Sequence, residues 1–183
     1  MERLRRTLRE APVIDRGEYQ YFVHPVTDCY PQVEAELLRE IATGIAERID
    51  LSGVDKLLTA EAMGIHHATA LTLETEIPFL CARKRSYGFE DEVAVHQTTA
   101  YAEDELSLNG VEPGDRLLIV DDVVSSGGTL RALCDAAEEA DGEPVGAVAV
   151  IRRAGGEDVD LPVEVTSLVE VDVVDGSVVI VGP

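Results

Sequence analysis

Asp121 and Asp122 stand side by side after the apolar run Leu117–Val120, in the stretch LLIVDDVVSSGGT. Ser125, Ser126, Gly127, Gly128 and Thr129 follow at once. Adjacent carboxylates can accept from vicinal hydroxyls or ligate a hard divalent cation. A small-residue loop that opens a helix exposes backbone N–H groups, and the helix dipole favours an anion there. Gly127 and Gly128 allow the backbone to wrap closely around a phosphate. Carboxylates beside a phosphate would repel it, so they must serve another part of the same ligand: sugar hydroxyls, or Mg²⁺ carried by the phosphate. The ligand implied is a phosphorylated sugar. A Walker loop would need a lysine after these glycines, and a dinucleotide fingerprint would need GxGxxG; neither is present. A phospho-receiver domain also favours a strand ending in VDD, but only about sixty residues follow Asp122, too few for that fold.

Two further groups lie upstream. TAEAMGI (59–65) sets Glu61, Ala62, Met63 and Gly64 after an apolar stretch. ARKRSYG (82–88) concentrates Arg83, Lys84 and Arg85. Of the 15 basic residues only Lys56 and Lys84 are lysine, so three consecutive cations in so acidic a chain suit a polyanion such as pyrophosphate better than a solvated surface.

These groups need a scaffold. VDKLLTA (54–60) and IPFLCAR (77–83) read as buried strands, with a helix over 64–75 between them. Strand, helix, strand at this spacing is a βαβ unit and implies a parallel sheet. RLLIVDD (116–122) is the central strand, 127–140 the helix after it, and PVGAVAVI (144–151) the next strand. Strand candidates follow at 163–174 and 177–181. Residues 1–10 and 32–49 read as helices, 21–31 as a structured loop, and 93–101 with 105–110 as a hairpin. The 183 residues show no internal repeat and no linker, so one α/β domain is expected over 1–183.

The charge is unusual: 36 acidic against 15 basic residues, a net of −21. Regular apolar periodicity argues against disorder. Concentrated salt screens like-charge repulsion within about 3 Å at 1 M, so a carboxylate-rich surface suits a high-salt cytosol and resembles haloarchaeal proteins. Nucleic-acid binding needs a basic face and is not expected. No apolar run approaches the ~20 residues of a membrane span, and MERLRRTLRE lacks the apolar region of a secretory signal. Cys29, Cys81 and Cys134 lack metal-ligand spacing and read as reduced thiols of a cytoplasmic protein.

LLIVDDVVSSGGT resembles the 5-phosphoribosyl-1-diphosphate (PRPP) signature of the type I phosphoribosyltransferases. The resemblance implies that family's fold: a mostly parallel sheet flanked by helices, a small hood (about 11–31) and a flexible active-site hairpin loop (about 84–104). It implies Asp121 and Asp122 on the ribose hydroxyls, and indirectly on Mg²⁺. Ser125, Ser126, Gly127, Gly128 and Thr129 would take the 5′-phosphate. Glu61, Ala62, Met63, Gly64 and Arg83 would take the pyrophosphate, with Lys84 and Arg85 assisting its departure. YFVHPVTD (21–28) is similar to the hood of archaeal purine enzymes, which implies Phe22 and Val23 at the base. VIRRAGG (150–156) implies Arg152 and Arg153 near a base oxygen, where related enzymes carry a lysine. Tyr87 and His96 are lesser candidates, and His66 and His67 read as structural. The start, RLRRTLREAPVIDRGEYQYFVHPVTD, is most similar to the archaeal hypoxanthine/guanine phosphoribosyltransferase-like family. The implied reaction moves 5-phosphoribose from PRPP to a purine, hypoxanthine or guanine first, in a homodimer with Mg²⁺. A PRPP- or purine-sensing regulator without catalysis, and a pyrimidine enzyme of the same fold, are the alternatives.

Overall fold

The computed structural model of the chain describes residues 1–15, 20–98, 103–155 and 161–183. Helix α1 (Glu2–Arg9) comes first. A short antiparallel pair follows, β1 (Val13–Asp15) and β2 (Gln20–Phe22), then the one-turn helix α2 (Pro25–Asp28) and helix α3 (Ala35–Ala46). Next come β3 (Lys56–Ala60), α4 (Gly64–Thr75) and β4 (Phe79–Ala82), and the antiparallel pair β5 (Val93–Thr98) and β6 (Glu103–Leu108). The chain ends with β7 (Arg116–Val124), α5 (Gly128–Glu139), β8 (Glu143–Arg153), β9 (Val165–Val174) and β10 (Ser177–Gly182).

The main sheet runs β10-β9-β8-β7-β3-β4 and is parallel except for β10, which turns back on β9. Its central strands are apolar on both faces because helices cover both. Successive residues feed opposite sides: Leu118 and Val120 face the core under α1, α3 and α4, while Leu117 and Ile119 face the core under α5. From β3 the chain steps out to β4, then returns past β3 to β7. Right-handed crossovers in opposite directions put α4 and α5 on opposite faces. Their loops therefore diverge at the seam between β3 and β7, where open parallel sheets bind ligands.

The predicted elements recur with trimmed ends: α3 is shorter than 32–49, β4 shorter than 77–83, and β7 runs two residues past Asp122. The hairpin is present as β5 and β6, with its tip, 99–102, outside the described residues. The reading of 21–31 as a loop is corrected. Pro25 is the first residue of α2, where its fixed φ suits a helix, and His24 caps that turn. Cys29, Cys81 and Cys134 are unbridged. Among the described residues, no helix is long and apolar enough to cross a membrane.

Two buried histidines suspend α2. His24 Nδ1 accepts the Val26 N–H at 3.2 Å, so its Nε2–H faces Thr7 Oγ1 at 2.9 Å. His67 Nε2 donates to the Val26 carbonyl at 3.2 Å. Burial lowers His24 from 6.5 to about 4, against the pull of Asp28. Burial, then the neighbouring His66, lowers His67 from 6.5 to about 3. Both rings fold neutral and are protonated more readily in the unfolded chain. The stability they contribute is complete above pH 6.5 and is lost as pH falls towards the folded values. Each should cost about 2 kcal/mol at pH 5 relative to pH 7. Urea unfolding of wild type and His67→Gln at both pH values checks this: the variant should lose about 2 kcal/mol less. Equal losses would show that His67 does not titrate this way.

Candidate active site

At the carboxyl end of β7, Asp121 and Asp122 are only 6% and 8% exposed, and both line a cleft of about 320 Å³. The Asp122 N–H donates to Asp121 Oδ1 at 3.0 Å. Burial pushes the Asp121 carboxyl up; burial, and then the charge of Asp121, push Asp122 well above the usual carboxylate range. Such a pair favours any partner that donates hydrogen bonds or brings positive charge. Ser125–Thr129 form the adjoining wall at the start of α5. Gly127 caps that helix with φ +70°, a left-handed conformation that glycine adopts without strain.

The opposite wall is the loop after β3: Glu61, Ala62 and Met63, with a cis peptide between the first two. Glu61 Oε2 accepts from Arg83 Nε at 2.8 Å and from the Lys84 N–H at 3.1 Å. The end of β4 is thereby clipped to this loop, and Arg83 holds the Glu61 carboxyl below its ordinary value. The roof is Tyr21, Phe22 and Thr27, and Arg153 reaches in from β8. Arg153 Nη2 donates to the Gln20 carbonyl at 2.7 Å, tying roof to sheet.

The cleft thus gathers Asp121, Asp122, Ser125–Thr129, Glu61, Ala62, Met63, Phe22 and Arg153 from the sequence-predicted set. Others stand apart. Arg83, Lys84 and Arg85 are exposed past the end of β4, at the rim beside Glu61 rather than in the wall. Arg85 lies over the Tyr87 ring at 5.8 Å. Gly64 is buried beneath the wall, where α4 packs against Thr59 and Val120. Val23 and Arg152 do not line the cleft: Val23 lies just past the end of β2, and Arg152 alternates with Arg153 along β8. Val23 faces the rear of the hood with His24 and Pro25. The Arg152 guanidinium donates to the Val165 carbonyl at 3.2 Å. His66 is partly buried and His67 wholly so, as structural residues are. The His96 side chain lies outside the described residues.

Sequence reasoning missed Tyr21, Thr27 and Asp28 as participants. A signal was available: a proline at the first helical position with an acid three residues on resembles a helix cap. The Asp28 carboxylate reaches back to the His24 N–H at 3.0 Å.

A cleft of this build stands at the seam of a parallel sheet, where open α/β sheets bind ligands. Residues 31–180 match the phosphoribosyl transferase domain, and the chain belongs to that enzyme family. HGPRTase-like protein 3 of Haloterrigena turkmenica is 55% identical over 181 residues, covering 99% of this chain and 97% of the relative. The hypoxanthine/guanine phosphoribosyltransferase of Methanocaldococcus infernus is 50% identical over 181 residues, covering 97% and 99%. Among solved structures, the adenine phosphoribosyltransferase of Thermoanaerobacter pseudethanolicus superposes with a TM-score of 0.75 at 19% identity, over 93% of this chain and 99% of that one. That of Rhodothermus marinus gives 0.73 at 24% identity, over 93% and 99%. The fold is that of the type I phosphoribosyltransferases.

Proposed function

We propose that the protein is a purine-salvage enzyme that transfers 5-phosphoribose from PRPP to N9 of hypoxanthine or guanine and releases pyrophosphate. The observation that carries this reading is the buried Asp121–Asp122 pair beside the Ser125–Thr129 loop, under a roof with Arg153. Ser125–Thr129 hold the 5′-phosphate through backbone N–H groups. Asp121 and Asp122 accept from the ribose hydroxyls and stabilise the positive charge that develops on the ring. The wall Glu61–Met63 receives the pyrophosphate. Arg83, Lys84 and Arg85, at the rim beside Glu61, reach it when the loop that carries them closes over the cleft and excludes water. Phe22 faces the base, and Arg153 offers donors to its 6-oxo group.

Asp121 and Asp122 set hard oxygen donors side by side in the cleft. That fits Mg²⁺, which uses one or two carboxylates and completes its shell with water and phosphate oxygens. Both residues would hold it through ribose hydroxyls or water. When bound, Mg²⁺ neutralises charge on the departing pyrophosphate. The proposed enzyme is a cytoplasmic homodimer, as the family resemblance implies.

Incubating the protein with PRPP and Mg²⁺ in molar KCl tests the reading. Pyrophosphate release should follow addition of hypoxanthine or guanine. Release only with orotate or uracil would make it a pyrimidine enzyme. PRPP binding without release on any base would make it a sensor.

A further inference from the structure

Asp28 lies in α2, within the hood, and its carboxylate takes three hydrogen bonds. Tyr21 Oη donates to Oδ1 at 2.6 Å, Thr27 Oγ1 donates to Oδ2 at 2.6 Å, and the His24 N–H donates to Oδ2 at 3.0 Å. Tyr21 and Thr27 both line the cleft; Asp28 does not. A hydroxyl has one proton and two lone pairs, and a carboxylate can only accept. Both hydroxyl protons are therefore committed to Asp28. The other acceptor near Thr27 Oγ1, the His24 carbonyl at 3.4 Å, also lies within the hood. A hydroxyl committed in this way can meet a further partner only as an acceptor.

We infer that Asp28 is a specificity-positioning residue: it locks the Tyr21 and Thr27 hydroxyls as acceptors, so that the cleft selects a purine edge rich in N–H groups. This rests on the purine reading above and narrows it. Arg153, tied to the Gln20 carbonyl next to Tyr21, brings the complementary donors. Guanine carries an oxygen at C6, an N–H at position 1 and an amino group at C2, which matches one donor and two acceptors. Hypoxanthine matches all but the amino group. Xanthine would set its C2 oxygen against a lone pair, and adenine would set a bare N1 there. A site built to bond an N–H group rejects an analogue lacking it more strongly than an apolar pocket rejects an added methylene. The order expected is guanine, then hypoxanthine, then xanthine and adenine.

Asp28→Asn has nearly the same shape but brings an amide that donates. The His24 N–H holds the Asn oxygen at the Oδ2 position, so the amide donates to Tyr21 Oη, whose own proton must turn away from residue 28. The test measures kcat/KM for guanine, hypoxanthine, xanthine and adenine in wild type, Asp28→Asn and Thr27→Val. In parallel, calorimetry measures binding of GMP, XMP and AMP, which needs no turnover. The guanine-to-xanthine ratio should fall at least about tenfold in both variants, with the KM for PRPP within about twofold of wild type. The GMP-to-XMP affinity ratio should fall likewise. An unchanged ratio in both variants would overturn the inference, as would a KM for PRPP that rises in step with that for the base, because the hood would then have loosened generally. Nucleotide discrimination without turnover would overturn the enzyme reading and leave the role of Asp28 standing.

Discussion

Asp122→Asn is expected to lower kcat by about 10²–10³-fold while raising the melting temperature. The two effects share one cause. Asp122 is 8% exposed and lies beside the equally buried Asp121. Burial and that neighbour raise its carboxyl well above the usual range. A group whose folded pKa is raised costs stability when ionised, and that cost grows as pH rises through the folded value. Asparagine keeps the shape and an acceptor oxygen but removes the charge, so the ligand-free protein should gain stability at neutral pH. In the proposed reaction the same change removes a charge that would stabilise the electron-poor ribose in the transition state. Stored repulsion of this kind is common where a site is organised for a ligand rather than for the fold. Pyrophosphate release and scanning calorimetry at pH 7 in molar KCl measure both. Wild-type turnover would remove the carboxylate pair from the chemistry. A lower melting temperature would show that the pair serves the fold.

Gly64→Ala should destabilise the protein by about 1–3 kcal/mol, as overpacking does. A Cβ at this position would collide with Thr59 Oγ1 and lie 3.1 Å from the Val120 carbonyl. Thr59 is fully buried and β-branched, so it has little room to turn away. Glycine here brings the first turn of α4 against β3 and β7 and sets the height of the Glu61–Met63 wall. Removing the Oγ1 atom with Thr59→Ala should recover about half of the loss in the double variant. Denaturant unfolding of the four proteins of the cycle measures it. Additive losses would show that α4 moves instead of clashing.

What could be read in the sequence was whatever is local and apolar. LLIV followed by DD and a small-residue loop can only end a buried strand and begin a helix, and β7 and α5 are placed accordingly. The βαβ unit over 54–83 was legible because its strands are covered on both faces. The roof was not, because β1 and β2 are three residues each and too short to show a period. Their pairing is set by tertiary contact with α1 and β8, as the Arg153–Gln20 bond shows. The Arg152–Arg153 pair is the reverse case. Strand alternation sends adjacent side chains to opposite faces, and only the register of β8 against β7 and β9 decides which one meets the cleft. Phe22, expected at the base, is 4% exposed within the core under α1 and also lines the cleft.

The two walls of the cleft stand on different foundations. The Glu61–Met63 wall leads into α4, whose Leu71 belongs to one core, and the Ser125–Thr129 wall leads into α5, whose Leu130 and Leu133 belong to the other. A ligand that grips both walls therefore acts as a tie-beam across the seam of the sheet. Its binding energy is shared by two cores that lie on opposite faces of the sheet. Amide hydrogen exchange should accordingly slow in α4 and α5 together when PRPP binds, rather than in the helix nearest the phosphate alone.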